Sequence, residues 1–143
     1  MAQQSILLTG AAGQLGQTLA AMWPESELHS KYRLVPFTKS QLDITSEDAV
    51  NTALAILKPA VIINCSAYTA VDKAETDEAS AYKVNQQGPA NLAKYCAKNE
   101  CRLLHVSTDF VFSGQFSKPI DVDAATNPAG VYGSSKLAGE AAI

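Results

Sequence analysis

Apolar and polar positions along the chain fall into blocks whose period changes. Ser5 to Thr9 is a short apolar run that ends at a glycine, and Gln14 to Trp23 carries apolar residues at helical spacing, Leu15, Leu19 and Met22. A strand, a glycine turn and a helix are predicted to open the chain. Arg33 to Phe37 predicts a second strand. Ser46 is a predicted N-cap, with Glu47 and Asp48 in the first turn and Ala49, Val50, Ala53, Leu54 and Leu57 on the apolar face of a helix that stops before Pro59. Ala60 to Cys65 is apolar without alternation and predicts a buried strand. Helical spacing then runs from Ala74 to Asn99, with a bend or break expected at Gly88-Pro89, and Arg102 to Val106 predicts the next strand. The irregular stretch Ser113 to Val131 joins it to a terminal helix that begins near Tyr132.

Apolar strands alternating with helices imply an α/β, doubly wound parallel sheet of the Rossmann type. Ligands of such sheets bind beyond the carboxyl ends of the strands, so Ser113 to Val131 is a candidate lid or substrate wall, or else a plain surface excursion.

Composition narrows the function classes. The 143 residues, 47% hydrophobic, are enough for a single domain with a buried core over 1–143. A net charge of -3 provides no basic footprint for nucleic acid or for an anionic membrane surface, and no apolar run is long enough to span a bilayer. Cys65, Cys96 and Cys101 are odd in number and lack metal-type spacing, so no metal site is expected and a reducing cytoplasm is. Met1 to Ser5 shows no basic region leading into an apolar signal core.

Two patterns carry chemistry. Gly10-Ala11-Ala12-Gly13-Gln14-Leu15-Gly16 follows the first strand and opens the first helix. There glycines permit a tight turn, close approach to a pyrophosphate and close helix–strand packing, while the helix N-terminus favours the anion. The spacing is Gly-x-x-Gly-x-x-Gly rather than Gly-x-Gly-x-x-Gly, and a purely structural glycine turn has the same residues. Near the end of the second strand, where an NAD-specific enzyme carries an acid, stands Thr38-Lys39-Ser40. A cation and two hydroxyls suit a 2'-phosphate and favour NADPH, with NADH also accommodated, although an exposed lysine needs no function. The second pattern is Tyr132-Gly133-Ser134-Ser135-Lys136, which puts a phenol and an ammonium on one helical face, where the charge can lower the phenol's proton affinity.

These patterns, together with Leu42-Asp43-Ile44, the run Asn64 to Glu75 (Asn-Cys-Ser-Ala-Tyr-Thr-Ala-Val-Asp-Lys-Ala-Glu), Val106 to Phe112 (Val-Ser-Thr-Asp-Phe-Val-Phe) and Tyr132 to Glu140, resemble the dTDP-4-dehydrorhamnose reductases, extended short-chain dehydrogenase/reductases. The resemblance runs the length of the chain, in order. It implies reduction of the C4 ketone of dTDP-4-dehydro-L-rhamnose to dTDP-L-rhamnose by NADPH or NADH. It makes Tyr132 the proton donor and gives Lys136 the nicotinamide ribose and the tyrosine to serve. Thr108 would bond the carbonyl oxygen and Asp109 would face the sugar, although Thr108 could simply end a strand, Asp109 could cap a turn, and Ser107 could supply the hydroxyl instead. Gly10, Gly13, Gln14, Leu15, Gly16 and Lys39 are the expected cofactor contacts of the first half. Asp43 and Ile44 resemble the adenine contacts, and Ser66, Ala67 and Tyr68 the stretch beside ribose and pyrophosphate. By pattern alone Ile44 and Ala67 belong to the core, and Asn85 is either the superfamily's helix asparagine or a solvent-facing one.

Three departures qualify the resemblance. Phe110 stands where many members have Tyr. Asp121-Val122-Asp123 is displaced by one position from the usual Glu-x-Asp before Pro128, so Mg2+ finds no support in this sequence. Members are also about twice as long, so a truncated chain without the substrate-binding portion is expected, with any homodimer belonging to the full length. Two rivals share the motifs: a non-catalytic binding subunit similar to the regulatory subunit of methionine adenosyltransferase, and another sugar-nucleotide reductase or epimerase.

Overall fold

The computed structural model describes residues 3–115 and 117–143, so Met1, Ala2 and Phe116, the last inside the long irregular stretch, lie outside the described residues. Four strands, β1 (Gln4–Thr9), β2 (Tyr32–Phe37), β3 (Val61–Asn64) and β4 (Arg102–His105), form one sheet in the order β2-β1-β3-β4. Every pairing is parallel, with Leu7 opposite both Val35 and Ile62, and Ile63 opposite Leu104. The doubly wound architecture is therefore present, and its order reverses between β1 and β3, the place where such sheets open a ligand crevice. Pro36 is tolerated because β2 is an edge strand.

Helix α1 (Gln14–Met22) follows β1, and α2 (Glu47–Leu57) follows β2. Ser46 caps α2 as expected, its hydroxyl accepting from the Ala49 N–H at 3.2 Å, and Lys58 closes the helix in the left-handed region before Pro59. The predicted helix from Ala74 to Asn99 is broken. A short α3 (Val71–Ala74) is followed by a turn at 75–77, then α4 (Glu78–Tyr82), a π turn at Lys83–Gln87 and α5 (Gly88–Lys98). Pro89 has no N–H to return to the preceding turn, and the Gly88 N–H reaches back five residues to Lys83, so the expected break takes the form of a π turn just ahead of Gly88-Pro89. The chain ends in α6 (Val131–Glu140).

The main core lies between the sheet and the α2/α5 pair, where Leu7, Ile62, Val50, Leu54, Leu92 and Tyr95 pack together and the Tyr95 hydroxyl donates to the Leu54 carbonyl at 2.9 Å. Coverage elsewhere is thinner than uniformly apolar strands suggest. Leu104 on the edge strand β4 is 53% exposed, and in α1 the spaced apolar residues do not form a buried stripe: Leu15 is 44% exposed and only Gly16 is buried. Helix α1 comes closest to the turn that follows β1 through that glycine, and Leu19 is only partly buried.

Candidate active site

At the carboxyl ends of β1 and β3 a cleft of about 620 Å³ opens. Gly10 begins it in the left-handed region (φ +68°), and a Cβ there would lie 2.6 Å from the Cys65 backbone. A Cβ on Gly16 would lie 2.3 Å from the Gly10 carbonyl oxygen, so the turn, β3 and α1 meet backbone to backbone. The Gly13 N–H donates to the Gly10 carbonyl at 3.0 Å, and the Ala11 N–H to Phe37 at 3.1 Å, which pins the loop to the end of β2. Gly13 caps α1 without a side chain, and no acid stands in the first turn, so the helix N-terminus faces the cleft as a site for negative charge.

All the residues expected to hold a dinucleotide line this one cleft: the glycine loop with Gln14 and Leu15, then Lys39, Asp43, Ile44, Ser66, Ala67, Tyr68, Tyr132 and Lys136. Thr38 and Ser40 bond each other at 2.9 Å, leaving Lys39 as the cation of that corner. The Asp43 carboxylate accepts from the Thr45 hydroxyl and N–H, which hold its pKa below the usual range, with Lys39 and Lys83 acting in the same direction. A cleft of this size, with a backbone cradle for phosphates at one part and a lysine at another, fits a nicotinamide dinucleotide.

Lys136 is 2% exposed, and its ammonium donates to the Val106 carbonyl at 2.6 Å. Burial lowers its pKa, while Glu140 and Cys65 oppose the shift. Ser107, the alternative hydroxyl, also lines the cleft but donates to Glu140.

A second cavity of about 410 Å³ lies on the other side of Tyr132, lined by Val71, Glu75, Asp109, Phe110, Phe112, Gly130 and others. Asp109, expected to face the sugar, is in its wall. Phe110 packs edge-on against Tyr132, ring centres 5.4 Å apart. Thr108 lines neither cavity: its hydroxyl accepts from the Phe110 N–H and donates to Asp109, both at 3.3 Å, capping the short turn 109–111.

Two polar assemblies behind the cleft are only partly visible in the sequence. Asn85, left open between two readings, is buried: its side chain accepts from the Tyr68 N–H at 2.8 Å and donates to the Tyr68 carbonyl and to the Ser135 hydroxyl, which in turn donates to the Tyr132 carbonyl. Its amide therefore joins the cleft wall to α6. Beneath the glycine loop, Thr9 donates to Asn64 at 2.6 Å, the Ser66 N–H donates to the same oxygen, and the Asn64 amide donates to His105 Nδ1 at 3.0 Å. The His105 proton therefore sits on Nε2, which is buried with no partner among the described residues, and burial together with Lys136 brings its pKa down to about 4. A lone histidine at the end of a strand gave no signal of this.

Among the described residues no three His, Cys, Asp or Glu side chains are grouped to hold a metal ion, and no helix is long and apolar enough to cross a membrane.

The family model for the RmlD substrate binding domain matches residues 4–143. The chain is 45% identical over 141 residues to a dTDP-4-dehydrorhamnose reductase of Mycolicibacterium smegmatis, covering 98% of this chain and 41% of that protein. It is similar to the crystal structure of the Clostridium acetobutylicum dTDP-4-dehydrorhamnose reductase, with TM-score 0.90 and 40% identity over 97% of this chain and 48% of the other. The Bacillus anthracis dTDP-4-dehydrorhamnose reductase in complex with NADP is similar at TM-score 0.90 and 35% identity, over 99% of this chain and 49% of the other. The chain thus spans somewhat under half the length of these relatives.

Proposed function

The chain belongs to the family of the RmlD substrate binding domain, and from that membership we propose that it is the dinucleotide-binding and proton-donating part of a sugar-nucleotide ketoreductase. The proposed reaction is reduction of the C4 ketone of dTDP-4-dehydro-L-rhamnose to dTDP-L-rhamnose, in the cytoplasm, with NADPH preferred over NADH. The observation that carries it is the position of Tyr132, which forms part of the wall of both cavities. A nicotinamide dinucleotide in the first cleft supplies hydride. The chain's own part is to bring a proton to the ketone oxygen from the opposite cavity, and Tyr132 is the side chain with access to both spaces.

The surrounding groups support that assignment. Lys136 is held against the Val106 carbonyl, so its charge is fixed near the base of the cleft rather than free to swing. Asp109 and Glu75 bring carboxylates to the second cavity, suited to accepting hydrogen bonds from sugar hydroxyls and unsuited to a diphosphate. The diphosphate of the dinucleotide belongs at the glycine loop, and Lys39 at the ribose that carries the 2'-phosphate.

Titration of NADPH and NADH into the protein at matched salt is expected to show modestly tighter NADPH binding, reversed by Lys39→Glu. Tighter NADH binding to the wild type would remove the 2'-phosphate assignment. In a reductase carrying this chain, Tyr132→Phe is expected to lower turnover by roughly 10²–10⁴-fold while leaving cofactor affinity nearly unchanged. Wild-type-like turnover of that variant would mean that another group is the acid.

A further inference from the structure

We propose that Asn91 and Gly88, at the start of α5, are positioning residues that set the adenine-facing wall of the first cleft by holding Ile44 from behind. The proposal rests on the reading of that cleft as a dinucleotide site with its adenine end at Asp43 and Ile44.

Ile44 lies between β2 and α2 in a segment with no ladder or helix of its own, yet it is 3% exposed and lines the cleft. Its neighbour Asp43 is held locally, by Thr45. Ile44 is held from 47 residues away: the Asn91 side-chain amide donates to its carbonyl oxygen at 2.9 Å, in a buried bond. Asn91 is itself 2% exposed, and its own oxygen accepts from the Gln87 side chain at 2.8 Å, which orients the amide. A buried carbonyl without that donor would have to find another partner or shift toward water. The Ile44 side chain then lies on Gly88, where a Cβ would stand 2.5 Å from its Cδ1 and 2.8 Å from its Cγ1. One bond to the backbone and one close contact with the side chain leave Ile44 little freedom. Asn85, within the π turn, serves the Tyr68 wall, while Asn91, in the helix that follows, serves the Ile44 wall.

The test separates the two ends of the dinucleotide, using 2',5'-ADP for the adenosine end and nicotinamide mononucleotide for the other. Asn91→Ala is expected to weaken 2',5'-ADP binding by about tenfold, the scale of one lost buried hydrogen bond, and Gly88→Ala to weaken it by a similar factor by pushing the Ile44 side chain out of place, with nicotinamide mononucleotide changed less than about twofold in both. Because Asn91→Ala also removes a buried polar group and can loosen the fold, Gly88→Ala is repeated in an Ile44→Ala background, which removes both Cγ1 and Cδ1 and leaves only the Ile44 Cβ position, 3.7 Å away. No further loss of 2',5'-ADP affinity on adding Gly88→Ala to Ile44→Ala supports direct contact between the two positions, and a further loss of about tenfold overturns it. Equal weakening of both ligands, or no weakening of 2',5'-ADP, overturns the proposal. A wild-type protein that fails to bind 2',5'-ADP overturns the dinucleotide reading itself and the proposal with it, an outcome distinct from normal wild-type binding with insensitive variants.

Discussion

Around the first cleft the chain approaches itself backbone to backbone: Gly10 lies on Cys65, and Gly16 lies on Gly10 at distances that leave no room for a Cβ. Around the second cavity a Cβ on Gly133 would also strike backbone, 2.2 Å from the Phe110 carbonyl oxygen, whereas one on Gly130 would meet the Glu75 side chain and one on Gly114 would meet nothing within 4 Å. The turn of the first site is shaped by backbone contact at Gly10 and Gly16, the second cavity by backbone contact at Gly133 and otherwise by the side chains its wall presents. The first therefore has no room for a side chain at Gly10 or Gly16. The second can change specificity by changing side chains such as Phe110 while its scaffold stays in place.

Substitution at glycine sharpens this contrast most. Gly16→Ala is expected to cost about 3 kcal/mol or more and to abolish dinucleotide binding, because every atom it meets is backbone. Gly114→Ala, although φ there is +78°, has only the left-handed penalty of about 1–2 kcal/mol and should leave binding intact. Equal midpoints for the two variants in denaturant unfolding would show that backbone contact at Gly16 does not limit the turn.

Acid should act on the first cleft by way of His105. Burial beside Lys136 puts its pKa near 4 against 6.5 for the free side chain. Between those values the unfolded chain binds a proton that the folded chain excludes. The contribution of neutral His105 is thus complete above about pH 6.5 and is lost as pH falls toward 4. After discounting for partial exposure it is worth about 2 kcal/mol. His105→Gln is expected to flatten the dependence of stability on pH over that window, and a slope unchanged in the variant would assign the acid sensitivity elsewhere.

The smallest expected effect lies on the second-cavity side. Glu75 accepts from the Val131 N–H at 2.8 Å and stands in for the cap that Gly130 does not supply to α6. Glu75→Ala should cost less than about 1 kcal/mol, with faster amide exchange confined to the first turn of α6, and Glu75→Gln should restore most of the protection. Accelerated exchange throughout α6 would show that the cap holds the whole helix. Such a result would run against its packing, since Gly133, Ser135, Lys136 and Gly139 are all buried, and the helix is better supported than a terminal segment leads one to expect.

Local chemistry was enough to determine much of this protein. The apolar runs specify parallel strands, Ser46 and Pro59 bracket α2, the glycine loop marks the phosphate end of the cleft, and the spacing from Tyr132 to Lys136 puts both on the cleft-facing side of one helix. Each of these signals is contained within a few residues, where sterics and hydrogen-bond geometry act directly on the backbone. Tertiary structure decided what depends on partners far along the chain. Leu15 faces the cleft although its spacing suggests a core stripe, and Thr108 caps a turn beside the cavities instead of lining them. Asn85 and Asn91 are buried, His105 is partly buried, and all three are bonded to residues 17 to 50 positions away. No local pattern predicts such bonds, because a polar side chain inside a helix or at a strand end is equally stable in water until the fold supplies a buried group that needs its donor or acceptor.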